Sequence, residues 1–67
     1  MFEVTRNVNN IIDRRVFEDP YDAADWAERE FDLSVDEVDN LFLDGRTVTQ
    51  DFGDDHHITQ VVEMRAI

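Results

Sequence analysis

The stretch DPYDAADWAEREFDLSVDE, residues 19–37, decides the fold because it contains the start signals of two consecutive helices. Asp19 is of a type that caps helices, and Pro20 suits the first helical position, where no backbone N–H is needed. Ser34 and Glu37 have the spacing of a capping box, in which each side chain accepts a hydrogen bond from the backbone N–H of the other residue. The stretch therefore predicts one helix that starts at Asp19-Pro20 and a second, short helix that starts after Ser34.

Apolar side chains recur at helical spacing in both predicted helices, and such stripes face the core. For the first helix we expect an inward stripe flanked by Tyr21 and Trp26. These two aromatic residues are either edges of the core or anchors of a binding interface. The inward residues are Ala23, Ala24, Ala27 and Phe31 in the first helix, and Val35, Val38, Leu41 and Phe42 in the second.

The residues before the helices predict a β-hairpin. Residues 2–8 alternate between apolar and polar side chains, as a half-buried strand does. Asn9-Asn10 tolerates the positive φ of a two-residue turn, so residues 11–17 would return antiparallel to the first strand. That register places favourable pairs opposite each other, Arg6 with Asp13 and Phe2 with Phe17. The apolar residues of the 8–17 stretch also fit helical spacing, so a helix there remains an alternative.

The residues after the helices predict a second hairpin. Residues 46–52 and 56–66 are typical of strands on either side of a turn at Gly53-Asp54-Asp55. The elements then run β-β-α-α-β-β within a single domain, residues 1–67. We expect an α+β fold in which a small antiparallel sheet of two hairpins carries the helices on one face.

The composition is that of a strongly acidic chain without cysteine. Its net charge is −11, from 17 acids against six bases, all of them arginine. Because affinity for nucleic acids and for anionic membranes comes from Lys and Arg, we expect no direct binding to either. No apolar run approaches the roughly 20 residues of a membrane span, and the first residues lack a signal-peptide layout. These features favour a cytoplasmic protein.

The negative charge is concentrated in the helical segment. Residues 18–44 contain eleven acids against Arg29 alone, a net charge of −10, whereas residues 1–17 carry +1 and residues 45–67 carry −2. Acids recur every three residues along the first helix, which predicts an anionic side. Such a side is either a solvated outer face or a patch that imitates a phosphate backbone and docks onto a basic groove. The recurring acids are Asp19, Asp22, Asp25 and Glu28.

Residues that carry catalytic or metal-binding chemistry are scarce. His56 and His57 follow two aspartates, but neighbours on a strand point to opposite faces, and the chain has no third nitrogen or sulfur ligand. Residues 36–40 lack the spacing of a calcium loop, and the two glycines lie too far apart for a phosphate-binding loop. We therefore expect no metal, no cofactor and no enzymatic activity.

These features favour a non-enzymatic inhibitor that binds a protein partner and blocks that partner's basic, nucleic-acid-binding surface. Anti-CRISPR, anti-restriction and polymerase-inhibitor proteins of phages and mobile elements act in this way, and a phage-encoded chain would work in the host cytoplasm. The residues expected to contact the partner are Asp19, Asp22, Asp25, Trp26, Glu28, Asp36, Glu37 and Asp39.

Two alternatives remain open at this stage. The chain could be an ordinary small domain that is acidic because the whole proteome of a halophilic or GC-rich organism is acidic. It could also be a homo-oligomeric module, such as an antitoxin, that forms a homodimer through an exposed strand edge. The edges expected for this second alternative are Phe2–Val8 and Ile58–Ile67.

Overall fold

A computed structural model describes the backbone of residues 1–52 and 57–67 and the side chains of residues 1–50 and 58–67. Four antiparallel strands form one sheet, and two helices pack against it in the predicted β-β-α-α-β-β order. The α+β fold predicted from the sequence is therefore confirmed. The predicted turn at residues 53–55 lies outside the described residues. The elements are β1 (Phe2–Val8), β2 (Ile11–Phe17), α1 (Pro20–Phe31), α2 (Val35–Leu43), β3 (Arg46–Phe52) and β4 (His57–Ala66).

The first hairpin has the predicted register. β1 and β2 pair with Phe2 opposite Phe17 and with Arg6 opposite Asp13. Asn9 has φ of 52° and Asn10 has φ of 68°, which is the positive φ at both central positions that a type I′ turn requires. The alternative of a helix over residues 8–17 is wrong, because this turn sends the chain back along β1.

The two hairpins join through β1 and β4, which gives the strand order β2-β1-β4-β3. The expectation of exposed strand edges at Phe2–Val8 or Ile58–Ile67 is therefore wrong, since β1 and β4 are the inner strands. Val4 of β1 and Val62 of β4 explain the arrangement, because both side chains are fully buried under the helices. An inner position surrounds each of them with neighbours on both sides, whereas the more polar β2 and β3 tolerate the edges.

Side chains cap both helices at the predicted residues. The Asp19 carboxylate accepts a hydrogen bond from the backbone N–H of Tyr21 at 2.7 Å, and Pro20 occupies the first turn of α1. At α2, the Ser34 hydroxyl accepts from the Glu37 N–H at 3.2 Å, and the Glu37 carboxylate accepts from the Ser34 N–H at 3.0 Å. This is the capping box predicted from the sequence.

A small core lies between the helices and one face of the sheet. Leu41 is the largest fully buried side chain and joins α2 to the valines of the inner strands. The prediction that Val35 and Phe42 point inward is wrong, because both are exposed. Val35 and Phe42 are seven residues apart and therefore lie on the same side of α2. Because Val38 and Leu41 pack against the core, the side with Val35 and Phe42 is turned away from the sheet. The buried core consists of Val4, Ala23, Ala27, Leu33, Leu41 and Val62.

Candidate protein-binding surface

The two sides of the sheet differ in charge. The segment of residues 18–44, here called the helical layer, covers the face of the sheet that carries Val4 and Val62, and it holds the net charge of −10. The opposite face, here called the open face, has no element of the described chain packed on it. Strand alternation and register assign to it five charged residues whose net charge is +1. They are Arg14, Arg46, Arg65, Glu3 and Glu63.

The four acids predicted to line one side of α1 have different environments. Asp22 and Asp25 are exposed, and the Asp25 carboxylate lies 3.1 Å from the Arg29 guanidinium, one turn along the helix. Asp19 caps the helix, so its carboxylate is already a hydrogen-bond acceptor. Glu28 is half-buried, because each step of three residues rotates the position by about 60° around the helix and brings it towards the core. Asp19, Asp22 and Asp25 are therefore all exposed to a partner, although the carboxylates of Asp19 and Asp25 each have a contact within the chain.

The acids of α2 divide in the same way. Asp36 and Asp39 are exposed to solvent. Glu37 is half-buried, and its carboxylate accepts hydrogen bonds from the Ser34 N–H and from the Thr49 hydroxyl of β3. Glu37 therefore holds α2 on the sheet, and its lone pairs are largely used within the molecule.

Trp26, predicted as a partner contact, lies at the edge of the core. Its ring is 5.5 Å from the Phe17 ring and makes an edge-to-face contact with Phe31 at 5.1 Å. The Arg15 guanidinium lies 5.3 Å from the Trp26 ring centre. Such aromatic contacts add stability beyond the burial of area, so Trp26 holds α1 on β2.

Two other aromatic residues lie on the solvent side of the helical layer. Tyr21 of α1 is 73% exposed and Phe42 of α2 is 43% exposed, and their ring centres are 5.4 Å apart. Asp25 follows Tyr21 by four residues and Asp39 precedes Phe42 by three, so each acid lies on the same side of its helix as the aromatic residue. The exposed aromatic pair is thus bordered by exposed carboxylates from both helices.

Sequence reasoning did not find this aromatic pair. The sequence leaves Tyr21 as either an edge of the core or an interface anchor, and it predicts Phe42 inside the core. The pair depends on the angle at which two helices meet, which no periodicity within one helix records. The run Leu41-Phe42-Leu43 was a sequence-level signal, because three successive apolar residues span about 200° of a helix and cannot all face the core.

A cavity of about 270 Å³ lies between α1 and β2. The Arg6 guanidinium is 4.8 Å from the Phe31 ring centre, 3.9 Å from the Asp13 carboxylate and hydrogen-bonded to Gln60. The cations of the cavity are therefore already paired with acids and rings of the same chain. The cavity is lined by Arg6, Asp13, Arg14, Arg15, Trp26, Glu30 and Phe31.

No group of three or more His, Cys, Asp or Glu side chains among the described residues could hold a metal ion. The side chains of the His56–His57 pair lie outside the described residues. Within the described chain, neither helix has the length and apolar character needed to cross a membrane. Comparison with protein-family models, curated proteins and solved structures gave no match.

Proposed function

We propose that the chain is a non-enzymatic binding protein that docks its helical layer onto a basic, nucleic-acid-binding surface of a partner protein and inhibits the partner. The observation that carries this proposal is the exposed Tyr21–Phe42 pair, which lies among exposed carboxylates in a layer of net charge −10. Inhibitors of this kind are encoded by phages and mobile elements against host nucleic-acid machinery.

The charge of the helical layer supports recognition of a basic partner. Opposite potentials steer two proteins together and raise the association rate by about 10- to 1,000-fold at low salt. Asp22, Asp25, Asp36 and Asp39 are exposed on two neighbouring helices, so a basic partner surface can contact carboxylates from both helices. Steering alone leaves complexes short-lived, because exposed ion pairs contribute little to the free energy of binding.

The aromatic pair supplies the apolar contact that a lasting complex needs. Tyrosine is enriched among the residues that dominate binding energies, since its ring buries a large area and its hydroxyl forms hydrogen bonds. Tyr21 and Phe42 already contact each other, so little side-chain freedom is lost when a partner covers them. We infer that the pair anchors the complex and that the surrounding acids orient it.

The test begins with the partner captured from a nuclease-treated host lysate on the immobilised chain. The captured protein is then bound to its DNA or RNA, and the chain is titrated into a gel-shift assay. We expect release of the nucleic acid, with inhibition that weakens steeply as salt rises. A captured protein that keeps its nucleic acid at saturating chain would overturn the proposal.

Two variants with the same charge change separate the anionic surface from general acidity. Asp25→Asn with Asp39→Asn removes the acids beside the aromatic pair, and Asp13→Asn with Glu63→Gln removes two acids of the sheet, outside the helical layer. We expect the first double variant to inhibit about tenfold less well and the second to inhibit nearly as well as the parent. Tyr21→Ala should weaken inhibition by about tenfold or more. Equal losses in the two double variants would show that only net charge matters.

A competing explanation is that the acidity belongs to the whole proteome of a halophilic or GC-rich organism. An acidic fold adapted to salt loses structure when the salt is removed, because nothing else screens the repulsion between its carboxylates. The proposed inhibitor should keep its circular dichroism spectrum at about 10 mM salt, where its attraction to a basic partner is strongest. Unfolding at that salt concentration would favour the competing explanation.

A further inference from the structure

The open face presents apolar side chains in an ordered array. Strand register places Ile12, Asn7, Val61 and Val48 in one row across the four strands. A second row holds Arg14, Thr5, Glu63 and Arg46, and a third holds Val16, Glu3 and Arg65. Ile12 is 57% exposed although it lies in a strand, and Val16 and Val48 are also exposed. Antiparallel sheets commonly leave one face in solvent, but exposed apolar side chains grouped on such a face can mark an interaction site.

The centre of this face is nevertheless tightly paired. Glu3 is only 7% exposed, and its carboxylate lies 2.9 Å from the Arg65 guanidinium and 3.5 Å from that of Arg14. The two arginines come from the strands on either side of β1, so the three charged side chains lie next to one another on the open face. A sheet face that combines paired charges with apolar side chains can pack face to face against a second sheet.

We propose that the open face binds the open face of a second copy of this chain, forming a two-fold dimer with the sheets packed together. Charge decides which face two copies can use. Each copy carries −11, so two copies can approach each other only where the local charge is not negative. The open face carries +1, whereas the helical layer carries −10.

The proposed geometry keeps the helical layers apart. Packed sheets lie about 10 Å apart, and a helix adds about 10 Å on each outer side, so the two helical layers are separated by about 30 Å. That distance exceeds the Debye length of about 8 Å at physiological salt, and the repulsion between the layers is therefore largely screened.

The rows of the open face are compatible with two-fold symmetry. An axis parallel to the strands places β1 of one copy over β4 of the other. The Glu3–Arg65 pair then faces the same pair in reverse order, so each carboxylate meets a guanidinium. The row that contains Ile12 and Val48 faces the same row of the second copy in reverse order. Ile12 of one copy therefore lies opposite Val48 of the other copy. Arg14 faces Arg46 of the second copy at the rim, where both guanidinium groups remain in solvent.

The area of the face predicts a weak dimer. Four strands about 4.8 Å apart and about seven residues long, at about 3.3 Å per residue, give a footprint of about 440 Å² per copy. Two copies therefore cover about 900 Å², close to the roughly 1,000 Å² of a small specific interface. We expect association at micromolar to high-micromolar concentrations.

Sedimentation equilibrium of the full chain tests the proposal, over about 1 µM to 1 mM protein at about 0.15 M and 0.5 M salt. The mass should rise from the monomer value of 7.9 kDa to twice that value as concentration increases. Raising the salt from about 0.15 M to about 0.5 M should change the association little, because the repulsion between the two helical layers is already largely screened at the lower concentration. A monomer throughout this range at both salt concentrations would overturn the proposal.

Neighbouring residues of β2 provide a matched pair of variants. Ile12→Asp adds a carboxylate to the open face, and Ile11→Asp adds one to the opposite face of the same strand, where Ile11 is 70% exposed. We expect the first change to weaken dimerisation at least tenfold and the second to leave it nearly unchanged. Circular dichroism verifies folding, and Val48→Asp on β3 makes the same test if Ile12→Asp does not fold. Equal effects at Ile11 and Ile12 would favour pairing through the strand edge and contradict the proposal.

Discussion

The helical layer and the open face are two surfaces of one thin molecule, and they differ in charge and in how their charged groups are used. The helical layer has eleven acids and Arg29, and several of its carboxylates point freely into solvent. The open face has acids and arginines in near balance, and Glu3 is enclosed by Arg14 and Arg65. Charge in this protein therefore follows the layers of the fold.

The contrast also bears on stability. The unpaired carboxylates of the helical layer repel one another, and folding gives them no ion pair that offsets this repulsion. Folding does give Glu3 such pairs, with Arg14 and Arg65. The helices stay on the sheet through apolar contacts and the hydrogen bond from the Thr49 hydroxyl to the Glu37 carboxylate, and the exposed charges contribute little. Four changes test this difference, from the largest expected effect to the smallest.

Removing the apolar attachment of the helical layer should have the largest effect. Leu41→Ala leaves a cavity where α2 meets the inner strands, since Leu41 is only 1% exposed. We expect a loss of about 3 kcal/mol in the free energy of unfolding, out of about 3–10 kcal/mol for a domain of this size. Urea denaturation measures the loss. Leu43→Ala, two residues along at an 81% exposed position, should change it by less than about 0.5 kcal/mol. Similar losses in the two variants would mean that α2 is not held through Leu41.

Removing the paired charge of the open face should cost less. Glu3→Gln keeps the shape of the side chain but takes its charge away from Arg14 and Arg65, so we expect a loss of about 1–2 kcal/mol. Glu63→Gln on the same face is the control, because Glu63 is exposed and should lose at most about 0.5 kcal/mol. Thermal denaturation of both variants at neutral pH would show whether the position on this face, and not the charge alone, decides the effect.

Removing the cap of α2 should cost about 1 kcal/mol. Ser34→Ala leaves the Glu37 N–H without its side-chain acceptor, whereas the backbone N–H of residue 34 can still donate to the Glu37 carboxylate. Ser34→Asp supplies another good capping side chain and should recover most of the stability. For a domain of this size, 1 kcal/mol corresponds to a shift in melting temperature of about 4–8 °C. If the aspartate variant melted as early as the alanine variant, the capping role would be contradicted.

Changing single acids of the helical layer should have the smallest effects. Asp39→Asn relieves the repulsion from Asp36, three residues earlier, and should raise stability by a few tenths of a kcal/mol, about 0.3, at low salt. Asp25→Asn removes the pair with Arg29 and also the repulsion from Asp22, three residues earlier, so its net effect on stability should be smaller than that of Asp39→Asn. Both differences should vanish at about 1 M salt, where the Debye length is about 3 Å. Effects that persist there would show that these carboxylates have partners beyond the exposed charges.

Local interactions explain why most of the fold could be predicted from the sequence. Asp19-Pro20, the Ser34–Glu37 box and the Asn9-Asn10 turn act within a few residues, so the chain records their outcome directly. Register within the first hairpin followed from the turn length and from alternation. The join between β1 and β4 could not be predicted, since it depends on contacts between residues at opposite ends of the chain.

The candidate surface was only partly predictable for the same reason. Net charge and its concentration in the helical segment are additive properties, which can be counted along the sequence. The different environments of Asp19, Glu28 and Glu37 could not be counted in this way, because they depend on the hydrogen bonds and the burial of these side chains in the folded chain. The exposed pair of Tyr21 and Phe42 depends on how two helices meet above the sheet.

The sequence by itself determined the elements, their caps, the turn of the first hairpin and the −10 charge of the helical segment, because each arises from neighbouring residues or from simple addition. Tertiary structure alone decided which strands are inner, which acids remain free and which face of the sheet stays uncovered. Those outcomes follow from the joint burial of Val4, Val62 and Leu41. These residues come from distant parts of the chain, and their contact sets how the helices lie on the sheet.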